Sequence, residues 1–218
     1  LFKEFGIDAE ILIDHAWGIE PCRMEDIKSY RPADKSICEG QVLSCPYPYE
    51  KARLIVQEMT ESLAFRLSDL KMITDSLTLT VGYDRANCTT GSYQGEIHID
   101  HYGRSVPKAA HGTIHLDPPT NLGSRLIDAA VRLYAQITSP QLLVRRISIA
   151  ANRVIEDHGI YQLNLFTDMK KLEREKKLQE TMLDIKKRFG KNSVLKGTSF
   201  LDGATMRERN GQIGGHKA

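Results

Sequence analysis

An α+β fold is what this sequence predicts, and three observations predict it. Residues 73–84 (ITDSLTLTVGYD) and 142–155 (LLVRRISIAANRVI) alternate apolar and polar residues, the period of a half-buried strand. Residues 45–70 (CPYPYEKARLIVQEMTESLAFRLSDL) and 121–137 (NLGSRLIDAAVRLYAQI) place apolar residues at helical spacing. With two further strand-like runs, 36–44 (SICEGQVLS) and 112–120 (GTIHLDPPT), the order along the chain is β-α-β-β-α-β. That order folds as an antiparallel-rich, four-stranded sheet with both helices on one face and the other face open.

Each element has its own local reason. Leu1–Gly6 reads as the last turn of a helix closed by Gly6. Asp8 is placed to cap a second helix, AEILIDHAWGI. Residues 24–35, MEDIKSYRPADK, are polar, contain Pro32 and read as a linker, with 1–30 the helical unit before it and 31–35 the linker proper. The abrupt opening at Leu1 is expected of a fragment whose catalytic part, if it has one, lies upstream. Pro48 stands near the start of the first long helix, where its missing N–H costs nothing, and Leu54, Ile55, Met59, Ser62, Leu63 and Arg66 share a face. The third strand is expected to be short and to stop at Pro118 and Pro119. Residues 85–112, rich in Gly and His, are expected to form a loop or hairpin inserted into the 36–160 domain. Residues 168–218 are a charged helix, 169–189, followed by a tail.

Composition narrows the function. The chain has 218 residues, 27% charged and 41% hydrophobic, with a net charge of +2. That is an ordinary globular balance, too mild by itself to signal a nucleic-acid partner. No apolar run could span a membrane and no signal peptide is evident, so a cytoplasmic protein is expected. Cys22, Cys38, Cys45 and Cys88 form no C-x-x-C pair and read as reduced thiols. His98, Asp100, His101 and His111 match no usual zinc spacing, and no metal is assigned to them.

The open sheet face carries the main functional signal. On the second strand Leu77, Leu79 and Val81 point one way, and Ser76, Thr78 and Thr80 the other. The third strand adds Thr113 and His115, and the last adds Arg146, Ser148 and Asn152. Small hydroxyl side chains with arginine let a phosphate backbone approach closely, and none of these contacts reads a base. The same alternation also suits the wet face of any antiparallel sheet.

Several segments together resemble a known family. FGIDAEILIDHAWGIEP is similar to the end of the thumb of Y-family (UmuC/DinB-type, or impB/mucB/samB-like) translesion DNA polymerases. KSICEGQVL, the element order and LLVRRISIAAN resemble their little-finger domain. DHYGRSVPKAAHGT and KGTSFLDGATMRERNGQIGGHKA resemble the UmuC-like branch of Gram-positive bacteria. The resemblance implies a little finger lying along primer-template duplex and holding mainly backbone. It carries Arg145, Arg146 and Ser36 over as DNA-binding positions; Thr78, Thr80, Thr113 and Ser148 join them by alternation. It also implies an error-prone polymerase as the parent, with Mg2+ held in an upstream palm, and a role in DNA damage tolerance and the SOS response. No segment here resembles that palm. Asp75, Asp84, Asp100 and Asp117 fall in unrelated places, so no catalytic residue is assigned and these residues alone are expected to be inactive.

Gln162-Leu163-Asn164-Leu165-Phe166 is similar to the QL-x-LF motif by which bacterial polymerases dock on the sliding clamp. Gln162, Leu163, Leu165 and Phe166 are the expected clamp-binding residues of 161–167, a few apolar anchors and one amide. The bland alternative is that the same leucines and Phe166 fold back onto the domain's own core. The charged helix after them suits a solvated face or a tail that binds other repair proteins. Two other classes remain open: a non-catalytic adaptor for nucleic acid and clamp, and an RNA-binding module. The second normally stacks bases on sheet aromatics, and the predicted face has none.

Overall fold

The computed structural model describes residues 5, 8–20, 22–30, 35–89, 93–100, 103–159, 168–213 and 216–217. The chain divides into two compact units, 1–33 and 34–218.

In the first unit, helix α1 spans Asp8–Ala16, so Asp8 opens the helix. It closes at Gly18, whose φ of +76° is the left-handed conformation that favours glycine. Ile19 N–H there reaches back to Asp14 O at 2.8 Å. The expected cap at Gly6 lies outside the described residues. The linker reading of 24–35 needs correction: Met24–Ser29 is a helix, α2. Its cause is local. The Asp26 carboxylate accepts the Arg23 N–H at 2.9 Å, satisfying an otherwise orphaned donor at the helix start.

In the second unit the elements are β1 (Ile37–Tyr47), α3 (Tyr49–Asp69), β2 (Met72–Tyr83), α4 (Ala86–Thr89), β3 (Ile97–Ile99), β4 (Ser105–Pro107), β5 (Ala110–Thr120), α5 (Gly123–Ile137), β6 (Val144–Asn152) and β7 (Ile155–Glu156). The long strands form one antiparallel sheet in the order β1-β6-β2-β5, with β7 pairing the start of β2. The α+β sheet with two helices on one face is therefore the fold. The inserted segment holds the short α4 and a β3–β4 hairpin.

The core lies between the sheet and its two helices. Leu43, Leu77, Leu79, Val81, Ile147, Ile149 and Ala151 meet Ile55, Met59 and Leu63 of α3 and Leu126, Ala130 and Leu133 of α5. Gly112 lets α5 come close to β5: a Cβ there would stand 2.9 Å from Ile137 Cγ2. Strand β5 does not stop at its prolines but runs through Pro118 and Pro119 to Thr120. It is an edge strand, so a residue without N–H need not break a ladder. Among the described residues no helix is long and apolar enough to cross a membrane.

The C-terminal segment is not a free tail. Helix α6 (Met169–Phe189), a 3-10 turn at Gly197–Phe200 and helix α7 (Met206–Arg209) pack back on the domain, followed by a short β8–β9 pair at Gln212–Ile213 and His216–Lys217. Gln179 of α6 donates to Ser68 Oγ at 2.6 Å and to Asn121 O at 2.8 Å, and accepts the Gly123 N–H at 2.8 Å. Further along, carboxylates of the body find their partners in the segment. Glu61 pairs with Lys196 at 3.1 Å, and Glu39 with Arg209 at 3.4 Å. Glu58, only 2% exposed in mid-α3, accepts the N–H groups of Thr205 at 2.8 Å and Met206 at 3.0 Å. This explains why α3 is buried over a far wider face than its apolar stripe.

Candidate nucleic-acid interface

The open face of the sheet is ordered by strand register. One row runs Cys38, Ala150, Thr78, Thr113 across β1, β6, β2 and β5; the next runs Gly40, Ser148, Thr80, His111. Apart from His111 these are small side chains, and no Phe, Tyr or Trp stands in the two rows. Their polar atoms are linked. Thr78 Oγ1 and Thr113 Oγ1 share a hydrogen bond of 2.8 Å, Asn152 Nδ2 donates to Thr78 Oγ1 at 2.8 Å, and Thr80 Oγ1 bonds His111 Nδ1 at 2.9 Å. Thr78, Thr80, Thr113 and Ser148 are thus brought onto one surface. Ser36 lies one residue before β1, exposed, in phase with Cys38 and Gly40 if the extended course of β1 is continued. Ser76 departs from the expectation. It is 3% exposed, flanked by His115 and Asn152, with Arg153 reaching His115 Nδ1 at 3.3 Å, so longer side chains roof it over.

Arg145 and Arg146 sit at an irregularity that alternation does not reveal. Gly82 faces Arg146 and Tyr83 faces Val144, so two residues of β6 oppose a single step of β2. Such a bulge breaks the two-residue period and lets consecutive side chains escape the core. Val144 and Ile147 on either side are fully buried, while Arg145 is partly exposed and Arg146 exposed. Gly82 keeps this site open: a Cβ there would lie 3.2 Å from Arg146 Cβ. Gly82→Ala is expected to push Arg146 aside and weaken DNA binding without unfolding the domain, as read by duplex titration beside a thermal melt. The two arginines are not equivalent. Arg145 Nε is 3.8 Å from the sheltered carboxylate of Asp84, whereas Arg146 has no ion pair among the described residues.

Two further residues, His111 and Arg153, belong to this surface. His111, grouped with a metal candidate, faces Thr80 instead; counting back two from Thr113 would have placed it. Arg153 takes a φ of +46° in the turn after β6 and bridges Asp75 (2.9 Å) and His115. No local signal in the sequence marks it. The other acids are engaged separately: Asp84 accepts the Ala86 N–H at 2.8 Å and Asp100 pairs with Arg104 at 2.6 Å. Among the described residues no three His, Cys, Asp or Glu side chains group as metal ligands. These aspartates therefore do not fit the Mg2+ site implied for a polymerase palm, and no phosphoryl-transfer step is drawn through them. His101 and the expected clamp-binding residues Gln162, Leu163, Leu165 and Phe166 lie outside the described residues.

A helix-backed antiparallel sheet with an open, hydroxyl-rich face flanked by two arginines is the class of domain these residues build. Residues 34–165 match the impB/mucB/samB family C-terminal domain, and the chain belongs to that family. The resemblance to the C-terminal part of Y-family polymerases is thereby borne out. UvrX of Bacillus subtilis (strain 168), named for UV-damage repair, is 24% identical over 220 residues. That match takes in 100% of this chain and 47% of UvrX, so the chain spans about half the length of the curated relative it matches. The solved complex of beta-clamp processivity factor and little finger domain of PolIV contains a chain similar to this one at a TM-score of 0.38 and 11% identity, covering 61% of this chain and 100% of that one.

Proposed function

We propose that this chain is the DNA-gripping and clamp-tethering part of an error-prone translesion polymerase, acting in the cytoplasm during SOS damage tolerance. The observation that carries the DNA half is the β6 bulge, which sets Arg145 and Arg146 beside a face of small hydroxyl side chains. Hydroxyls and guanidinium groups suit phosphate oxygens, and the two rows hold no Phe, Tyr or Trp on which bases would stack. A grip on backbone alone suits an enzyme that must accept distorted template. The clamp half rests on the QL-x-LF pattern at 162–166, at the C-terminal end of the matched residues 34–165. Polymerase activity and its Mg2+ belong, on this reading, to the longer protein.

The test is a salt series of duplex-DNA affinities for Arg145→Ala, Arg146→Ala and the double variant. Each lost phosphate contact should lower the slope of log affinity against log salt by about 0.9. Arg146→Ala should lose more than Arg145→Ala, since Asp84 already offsets part of the Arg145 charge. The loss should be alike for unrelated sequences, because phosphate contacts carry no sequence information. Unchanged affinity and slope in the double variant would remove the sheet face as the DNA surface.

A further inference from the structure

Helix α6 presents a row of cations that the proposed sheet interface does not use. Lys170, Lys171, Arg174 and Lys177 are all exposed in its first turns. Lys170, Arg174 and Lys177 recur at helical spacing, on the side away from Leu172 and Gln179, which face the body. The inward cations of the same helix are satisfied by the domain: Lys176 pairs with Asp157 at 3.1 Å, Lys187 with Asp69, and Lys186 lies over the Phe65 ring. The outward four make no ion pair with a described residue, although Glu173 and Glu180 are within helical reach.

This arrangement works against the helix. Lys170 and Lys171 occupy the first turn, where the one acid is the N-cap Asp168, its carboxylate taken by the Lys171 N–H at 3.1 Å, and the positive end of the helix dipole disfavours cations there. Lys170 with Arg174 and Arg174 with Lys177 are like-charged neighbours at the two spacings that bring side chains together, each costing a few tenths of a kcal/mol. A helix serving only solubility would place acids in that first turn and alternate signs along the face. Repulsion kept within a row is explained by an anion that relieves it.

We propose that Lys170, Lys171, Arg174 and Lys177 form a second contact for the phosphate backbone of nucleic acid. From Lys170 to Lys177 the helix rises about 10 Å, the axial rise of about three phosphates of one strand. The row starts beside the edge of the sheet, where Leu172 and Lys176 border Pro118 and Pro119 at the end of β5. The choice of DNA as ligand rests on the reading of the sheet face.

The experiment compares the full chain, the sheet variant Arg145→Ala/Arg146→Ala, and the helix variant Lys170→Gln/Lys171→Gln/Arg174→Gln/Lys177→Gln. Each is titrated with a labelled duplex across a salt series and, separately, with a bacterial sliding clamp. Glutamine is a good helix former and all four positions are exposed, so circular dichroism should be unchanged. The helix variant should bind duplex at least about tenfold more weakly at low salt, with a slope smaller by about two to three. An unchanged slope overturns the inference, and so does loss of clamp affinity alone, which would assign the row to an acidic protein surface. A slope lost only in the helix variant upholds the row and removes the sheet; a slope lost only in the sheet variant does the reverse.

Discussion

Leu165→Ala with Phe166→Ala is expected to abolish measurable binding to a bacterial sliding clamp, a loss of at least about a hundredfold. The motif has few anchors, and truncating a buried anchor in a small interface costs about 2 kcal/mol or more. Two such losses exceed a factor of a hundred at about 1.4 kcal/mol per tenfold. On the clamp reading these side chains serve the partner and not the fold, so the domain itself should keep its melting temperature. Titration of clamp with both chains, with a thermal melt of each, decides it. Retained binding would show that the motif is not the tether. A large fall in melting temperature would show that the pair packs against the domain instead.

The second large effect is expected at Glu58. Its Oε2 accepts two backbone N–H groups at the start of α7, and its Oε1 is buried without a partner among the described residues. Glu58→Ala leaves those donors without their acceptor inside the protein, a cost of about 2 kcal/mol or more. The C-terminal segment should then loosen first, seen as faster amide exchange over 196–210. Glu58→Gln keeps an acceptor and should be much milder. Acidity separates the two states of the carboxyl. Burial pushes Glu58 above its ordinary value of 4.5, outweighing the hydrogen bonds from Thr205 and Met206. Between the unfolded and the folded pKa the native state therefore binds more proton than the unfolded chain. Stability is gained as pH falls through the folded pKa and is complete below 4.5; above the folded pKa the charge is a cost. The stability of the unmodified chain relative to Glu58→Gln should rise on acidification. Other carboxylates cancel in that difference. A flat difference would show that Glu58 does not titrate in this range.

The open face was legible where strand geometry is regular. Thr78, Thr80, Thr113 and Ser148 follow from alternation alone, because successive side chains of a strand must point to opposite faces. The same rule placed Arg146 outward but failed at Arg145, which alternation turns toward the core. A bulge depends on the partner strand's register, and here on the space left by Gly82, neither of which the β6 sequence contains. It failed again at Ser76, where the side chain faces outward in phase but lies under longer neighbours from other strands.

The helical layer shows the same division. Periodicity marks α3 and α5 and their apolar stripes, but it cannot say why Glu58 and Glu61 are buried. An acid in a helix reads as solvent-facing until a partner is supplied, and these partners come from residues 196–206, far along the chain. The charged run 169–189 likewise reads as a solvated helix, because the partners of Glu175, Lys176, Gln179 and Lys187 lie on other elements of the domain.

By itself the sequence determined the order and type of the long elements, the face of most strands that enters the core and the family to which the chain belongs. These follow from local period and from residues near one another in the chain. Only the tertiary structure decided that Arg145 escapes the core beside Arg146 at a bulge, that Ser76 is roofed over, and that the C-terminal segment straps the helical face. Each depends on contacts between residues distant in sequence, where burial and pairing, not local pattern, set the free energy of a side chain.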